Sequence, residues 1–320
     1  MSLHGGNWLA RLAAGCLLAL SLGRVAAAEE GPVVALQQVS PSGWIVQGQS
    51  AQGSPQNQNF ISNAGVIVTP AGVVVIDALG SPVLADKLLA AIRKVTPQPV
   101  THVIVTHYHA DHIYGLQVFK AAGARILAHV KGRDYVGSDV ARSRLDVSRH
   151  ELAPWIDGNT QVVPADEWLT GSRDLSLGGV RLQIQPMGPS HTPEDLAVYL
   201  PAEGVLFAGD LVFRGRIPFV GQADSGRWVK ALGDMLALQP KVVVPGHGAV
   251  STQAVADMEL TRAYLVYLRT SMGKAAKNMD PFDDAYKAVD WSKFEAVPLF
   301  GLLNRVNAYN TYLLMEREAE

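Results

Sequence analysis

The residues in this chain best suited to chemistry are histidines and aspartates, and they come in groups. His107, His109, Asp111 and His112 fall within six positions of "THYHADH", and His191, Asp210 and His247 follow in "SHTP", "FAGDL" and "VPGHG". Neutral imidazole is the commonest protein ligand for zinc, and carboxylate oxygen completes such sites. His107 and His109 are two apart, so an extended segment faces both to one side. Asp111 and His112 come where the next helix begins, which turns them toward a second point. Three histidines and an aspartate from one short loop, with two distant histidines, crowd a single ion. Two ions a few ångströms apart accommodate them. His102 and His150 belong to no motif and read as ordinary structural or surface histidines, whereas His129 ends a strand pattern, "RILAH".

Such side chains need rigid supports, and the flanking sequence alternates strand and helix patterns as an α/β fold requires. "GVIVTPAGVVVID", residues 65–77, is two apolar runs joined by a Pro-Ala-Gly turn and predicts a hairpin ending at Asp77. Ser81-Pro82 reads as an N-cap followed by proline in the first helical turn. Leu84, Leu88, Ala91, Ile92 and Val95 then recur on one helical face. "HVIV" is the next strand, and "IYGLQVFKAAG" predicts a helix that stops at Gly123.

The plan then repeats. "LAVYLPAEGVLFAGD" is again strand, turn and strand, ending at Asp210. A helix follows from Asp224-Ser225 with Trp228, Leu232, Met235 and Leu236 on one face, and "KVVVPGH" ends at His247. Asp77 and His107 thus correspond to Asp210 and His247 in two similar halves. This predicts a duplicated β–α–β unit packed face to face, with its loop ends at one edge. Residues 130–176 are more polar and read as an insertion or lid, and residues 251–320 are mainly helical in pattern.

Composition narrows the function. The chain has 320 residues, is 48% hydrophobic and 18% charged, and carries a formal net charge of -2, which excludes nucleic-acid binding through a basic surface. Arg11, an apolar run of about a dozen residues and the small residues before Ala28 have the layout of a secretory signal peptide, residues 1–28. The run is shorter than the roughly 20 apolar residues of a membrane span, so no stable membrane anchor is expected after cleavage. The sole cysteine, Cys16, lies inside that segment, which leaves the mature chain without thiolate catalysis or cysteine ligands. The expected location is periplasmic or secreted.

The four motifs, in this order, resemble the ligand motifs of the metallo-β-lactamase superfamily over about residues 44–250, with "THYHADH" matching its H-x-H-x-D-H signature. The resemblance implies an α/β four-layer αββα sandwich of two similar halves. It divides the chain into the signal peptide, a hydrolase domain over residues 29–252 and a C-terminal helical extension over 253–320. It also implies two Zn(2+) per chain, with iron or manganese as alternatives. His107, His109 and His191 surround the first metal, Asp111, His112 and His247 the second, and Asp210 bridges both. Asp77 supports the site from behind rather than as a ligand. Two divalent ions about 3.5–4 Å apart lower the pKa of a shared water toward neutrality and generate hydroxide. Asp111 then orients that hydroxide, so Asp111 and Asp210 are the expected catalytic carboxylates.

The expected activity is hydrolysis of an ester, thioester, lactone or similar bond in a small molecule. β-Lactam hydrolysis ranks second, because zinc β-lactamases generally carry cysteine or serine where Asp210 stands. A mononuclear iron persulfide dioxygenase and a non-catalytic metal-binding relay partner are the other readings. Residues 207–248 are most similar to exported metallohydrolases associated with quinoprotein relay and sulfur-oxidation systems, which implies a periplasmic redox system as partner. Arg214 and Arg216 follow Asp210, and a guanidinium grips carboxylate, sulfonate or phosphate groups. Arg214 is the expected substrate-binding residue, with "IPFVG", residues 217–221, as an apolar wall.

Overall fold

A computed structural model of the chain describes residues 31–319; the expected signal peptide and Cys16 lie outside that range. Two short strands, β1 (Gln37–Gln38) and β2 (Gly43–Val46), lead into the expected hairpin, β3 (Ala64–Thr69) and β4 (Gly72–Ile76). Both hairpin strands are covered on both faces, which is why their Val/Ile runs do not alternate with polar residues. Helix α1 (Pro82–Val95) buries Leu84, Ala85, Leu88 and Ile92, while Val95 at the end of the expected stripe is exposed. Ser81 precedes that helix without capping it: its hydroxyl donates to the Gln58 carbonyl instead.

Strand β5 (Val100–Ile104) runs parallel to β4 and delivers the histidine loop. The single helix expected after it is two, α2 (Ala110–Ile113) and α3 (Leu116–Ala121), interrupted at Gly115. The break coincides with a close approach of the Ala78–Leu79 backbone that only glycine tolerates. A Cβ at Gly115 would lie 2.0 Å from the Ala78 carbonyl oxygen, and the Gly115 N–H donates to Leu79 rather than along a helix. Strand β6 (Arg125–His129), helices α4 (Gly132–Val136) and α5 (Asp139–Glu151) and strand β7 (Glu167–Leu169) complete the first half, so the polar insertion opens with two helices.

The second half holds β8 (Arg173–Leu177), β9 (Val180–Pro186), β10 (Leu196–Leu200), β11 (Val205–Phe213), α6 (Ser225–Ala237) and β12 (Val242–His247). Strand β11 continues past Asp210 to Phe213, with its register against β12 shifting around Gly209. The Asp224 carboxylate caps α6 by accepting from the Arg227 N–H. Three helices follow, α7 (Ala254–Asn278), α8 (Phe282–Ala288) and α9 (Phe300–Ala319). No helix among the described residues is long and apolar enough to cross a membrane.

Seven strands form one sheet in sequential order β1 to β7, and five form the other in the order β12-β11-β10-β9-β8. Ile67, Val74 and Ile104 of the first sheet meet Ile184, Val198 and Phe207 of the second in a shared core. On its outer face the first sheet packs Leu84, Leu88 and Phe119 of α1 and α3. The second packs Trp228, Leu232, Met258 and Leu265 of α6 and α7, and α9 adds Ala308 and Tyr312. The architecture is therefore an αββα sandwich with C-terminal helices. Hairpin, helix and parallel strand recur as β3-β4-α1-β5 and β10-β11-α6-β12, with parallel pairing of β4 with β5 and of β11 with β12. The duplication inferred from the two apolar hairpins is real.

Candidate metal centre

The site begins with Thr106, which the sequence did not single out. Its N–H and its hydroxyl donate to the two oxygens of Asp77 at 2.8 and 2.7 Å, pinning the loop after β5 to the end of β4. With its proton given to Asp77, the hydroxyl accepts from His107 Nδ1 at 3.0 Å, which leaves His107 Nε2 as the free lone pair. Asp77 also accepts from His112 Nδ1 at 2.8 Å and so aims the His112 Nε2 outward. His247 Nδ1 donates to the Ile61 carbonyl at 2.7 Å, with the same consequence for its Nε2. Hydrogen bonds of this kind set the tautomer and orientation of metal-binding imidazoles.

His191 sits on a turn closed by Asp195, whose carboxylate accepts from the Thr192 N–H and hydroxyl at 2.8 and 2.7 Å. Asn63 secures the His247 loop: its side-chain amide donates to the Pro245 and Gly248 carbonyls, both at 2.8 Å. The glycine of "PGHG" is a packing requirement. A Cβ on Gly246 would lie 2.0 Å from Asp210 Oδ1, so any side chain there would push the carboxylate aside.

The free atoms converge. His107, His109, His191 and Asp210 form one group of metal-competent donors, and Asp111, His112 and His247 form another, each with its atoms within 4.8 Å. His191 Nε2 and His109 Nδ1 face each other at 3.0 Å. Asp210 reaches into both groups: Oδ2 lies 3.7 Å from His107 Nε2, 3.4 Å from His191 Nε2 and 3.3 Å from His247 Nε2, and Oδ1 lies 3.2 Å from His112 Nε2. Asp111 Oδ2 is 3.3 Å from His247 Nε2. All seven expected ligands are thus brought to one place, with Asp77 directly behind them.

A metal fits this donor set. His107 Nε2 is buried without a hydrogen-bond partner, and an unpaired buried polar atom is costly unless something binds it. Nitrogen and oxygen donors without sulfur suit a borderline divalent ion. Charge tells the same story. Burial works against a charged His112, yet Asp210, Asp111 and Asp77 hold its pKa well above the usual value. Burial opposes a charged His247 too, and Asp210 and Asp111 still raise it to about 9. Burial, with His109 beside it, drops His191 to about 3. Asp210 is held well below its ordinary range by His247, His112 and His107, against the pull of burial.

Without metal, protons on His112 and His247 therefore balance the carboxylates at neutral pH. Metal binding needs those nitrogens bare, so loading metal-free protein in weak buffer at pH 7 is expected to release about two protons per chain. The folded His247 pKa lies above the unfolded value, so its stabilisation of the metal-free fold is complete below about 6.5 and fades as pH rises through about 9. Proton uptake, or a metal-free melting temperature that climbs over that window, would contradict the assignment.

A cavity of about 520 Å³ opens over this cluster, with His109, Asp111, Asp210 and His247 in its floor. Arg216 lines it, whereas Arg214 does not. Arg214 is turned away, its Nε 3.1 Å from Asp257 and its Nη1 donating to the Val250 carbonyl at 2.9 Å. The expected substrate-binding arginine is thus occupied as a structural ion pair, and its neighbour two residues on faces the cavity. Periodicity carries no signal that separates the two, because β11 has already ended at Phe213.

The sequence model of the Metallo-beta-lactamase superfamily matches residues 58–247. The chain belongs to this superfamily. Among curated relatives, a linear primary-alkylsulfatase of Pseudomonas sp. (strain ATCC 19151) is 25% identical over 239 residues, covering 63% of this chain and 45% of its own. A metallo-beta-lactamase type 2 of Bacillus sp. (strain 170) is 26% identical over 231 residues, covering 71% and 80%. The chain spans less than half the length of that alkylsulfatase. Two solved structures share the fold. An inverting sec-alkylsulfatase of Pseudomonas sp. has a TM-score of 0.70 at 17% identity over 88% of this chain and 50% of that one. A metallo-beta-lactamase from Pontibacter korlensis has a TM-score of 0.57 at 22% identity over 72% and 98%. Metallo-beta-lactamase superfamily members are mostly metal-dependent hydrolases, and the histidine–aspartate cluster of this one is a divalent-metal site of that type.

Proposed function

We propose that the protein is an exported dinuclear zinc hydrolase cleaving an ester, thioester, lactone or similar bond of a small molecule. The observation that carries this reading is the division of seven donors into two groups that share Asp210, beneath an open cavity. His107, His109 and His191 would hold one zinc, Asp111, His112 and His247 the other, and Asp210 both. When bound, two such ions supply Lewis acidity and make a water nucleophilic at neutral pH. The chain's own residues do the rest. Asp77 and Ile61 keep the imidazole Nε2 atoms of His112 and His247 facing the site. The Asp111 carboxylate, in the cavity floor, would accept a hydrogen bond from the attacking water and so set its approach.

The signal-peptide layout of residues 1–28 supports export, and the similarity of residues 207–248 to relay-system hydrolases supports a periplasmic redox system as its setting. β-Lactam hydrolysis is the second reading, favoured by the 26% identity to a metallo-beta-lactamase type 2; Asp210 in place of cysteine or serine argues against it. Elemental analysis of the purified mature protein and a substrate panel decide between them. The expected result is about two zinc per chain and turnover of esters, thioesters or lactones that is lost in His109→Ala. One iron per chain with oxygen consumption, or a chromogenic cephalosporin as the fastest substrate, would overturn it.

A further inference from the structure

The matched superfamily region ends at residue 247, yet the cavity over the metal cluster is completed by residues of the C-terminal extension. Leu299, Leu302 and Leu303, at the start of α9, form one wall of it. Leu302 is 53% exposed, and together with Leu299 and Leu303 it presents a contiguous apolar surface to the cavity. Across the cavity stand Val140 and Leu152, from α5 and its C-terminal end, and Phe219 stands beside His109, ring centroids 6.2 Å apart.

Arg216 lies at the foot of this wall. It is 8% exposed, and that remaining exposure opens on the cavity. Among the described residues its guanidinium has no carboxylate partner within 4.0 Å. Its contacts are the Ile217 carbonyl and His247 Nδ1, both at 3.4 Å. The second contact is not a hydrogen bond in substance, because the Nδ1 proton already points at Ile61 and two donors then face each other. A guanidinium has five N–H donors and stays charged in proteins, so one buried with a single long bond is short of an anion. Stacking over the Phe213 ring at 5.7 Å fixes its plane without supplying one.

The C-terminal extension also holds the segment carrying Arg216. The Ile217 N–H donates to Pro298 O at 2.9 Å, the Val220 N–H donates to Asn307 Oδ1 at 3.0 Å, and Asn307 Nδ2 donates to Pro218 O at 2.7 Å. Asn307 is fully buried, and Asn307 Nδ2 also donates to the Tyr264 hydroxyl at 3.1 Å, so both ends of its amide are engaged. Residues 217–220 are thereby held by three hydrogen bonds, two to Asn307 on α9 and one to Pro298 just before it.

We infer that α9 and the Arg216–Val220 segment form the specificity wall of the site, with Arg216 taking the oxyanion of the substrate and Leu299, Leu302 and Leu303 its apolar chain. This rests on the hydrolase reading and names its substrate class: amphiphilic anions, with the charged group close to the scissile bond. Asn307 is a positioning residue, acting through the segment it holds.

Non-hydrolysable straight-chain sulfonates, from butane- to decanesulfonate, test this by calorimetric binding to the metal-loaded full chain. Decanoate and a neutral decyl glycoside run beside them. Affinity is expected to rise about fourfold per added methylene until the chain outgrows the wall. Arg216→Gln is expected to weaken the anions about tenfold or more, with the neutral glycoside changing less than about twofold, and Arg216→Lys to recover part of the loss. The pair Leu302→Gln and Leu303→Gln should flatten the dependence on chain length without removing the preference for anions. Circular dichroism confirms that each variant is folded, and Leu302→Gln alone, at an exposed position, serves if Leu303→Gln is not. Affinity independent of chain length, or equal losses for neutral and anionic ligands in Arg216→Gln, would overturn the inference even if esters are hydrolysed. Absence of all hydrolysis with this binding pattern intact would instead overturn the hydrolase reading.

Discussion

Asp210→Ala is expected to yield a folded protein that binds metal poorly and hydrolyses nothing above background. Oδ1 of this carboxylate lies 3.2 Å from His112 Nε2, and Oδ2 lies within 3.7 Å of His107, His191 and His247, so its removal disconnects the two donor groups at once. Residues behind metal ligands typically change metal affinity by about 10–100-fold, and a ligand shared by both groups should exceed the upper end of that range. The fold should survive, because Ala208, Leu211 and Val212 on either side keep β11 anchored in the core. Asp77→Ala is the internal control. It leaves all seven donors in place but frees His112 Nδ1 and Thr106, so its loss should stay within the 10–100-fold range. Elemental analysis and titration with a chromogenic chelator measure both. Full metal occupancy in Asp210→Ala would refute its shared role.

Trp228→Ala is expected to produce the largest loss of stability among single substitutions in α6. The indole is fully buried in the cluster between the second sheet and the C-terminal helices, and its Nε1 donates to the Leu211 carbonyl at 3.0 Å. Truncating a buried tryptophan costs about 3–5 kcal/mol, through lost transfer energy and the cavity left behind. For a domain of this size that lowers the melting temperature by roughly 5–8 °C. The ring also meets His191 edge-on at 5.2 Å between centroids and Phe213 at 6.2 Å, so metal affinity should weaken along with stability. A calorimetric scan showing a shift of about 2 °C or less would mean the site collapses without penalty.

The ligand set was legible because three of its residues interrupt or close apolar strand patterns, and the rest cluster beside them in short motifs. His107 follows "HVIV", Asp210 follows "VLFAG" and His247 closes "VVVPG", and an apolar run broken by a titratable residue is visible in one dimension. The repeated order of hairpin, helix and strand was legible for the same reason: it is written in hydrophobic spacing. The break at Gly115 was not, since the carbonyl that takes its N–H away from the helical ladder belongs to Leu79, which reaches it only after folding. Nor was the Ser81 hydroxyl's choice of Gln58 over the helix it precedes.

The partners of the ligands were hidden more deeply. Thr106 beside His107, Asn63 on the "PGHG" loop and Asp195 under His191 are ordinary polar residues until hydrogen-bond geometry gives them a task. Arg214 and Arg216 show the limit most clearly. Both follow the shared aspartate, and nothing in their spacing ranks one above the other. Asp257, from α7, claims Arg214, while the three hydrogen bonds from the α9 region turn the Arg216 segment to the cavity. By itself, the sequence determined the superfamily, the duplicated halves and the metal donors, because these depend on local pattern and residue type. Only the tertiary structure decided which arginine faces the cavity and how the C-terminal region holds its segment, because both depend on contacts between segments that sequence distance keeps far apart.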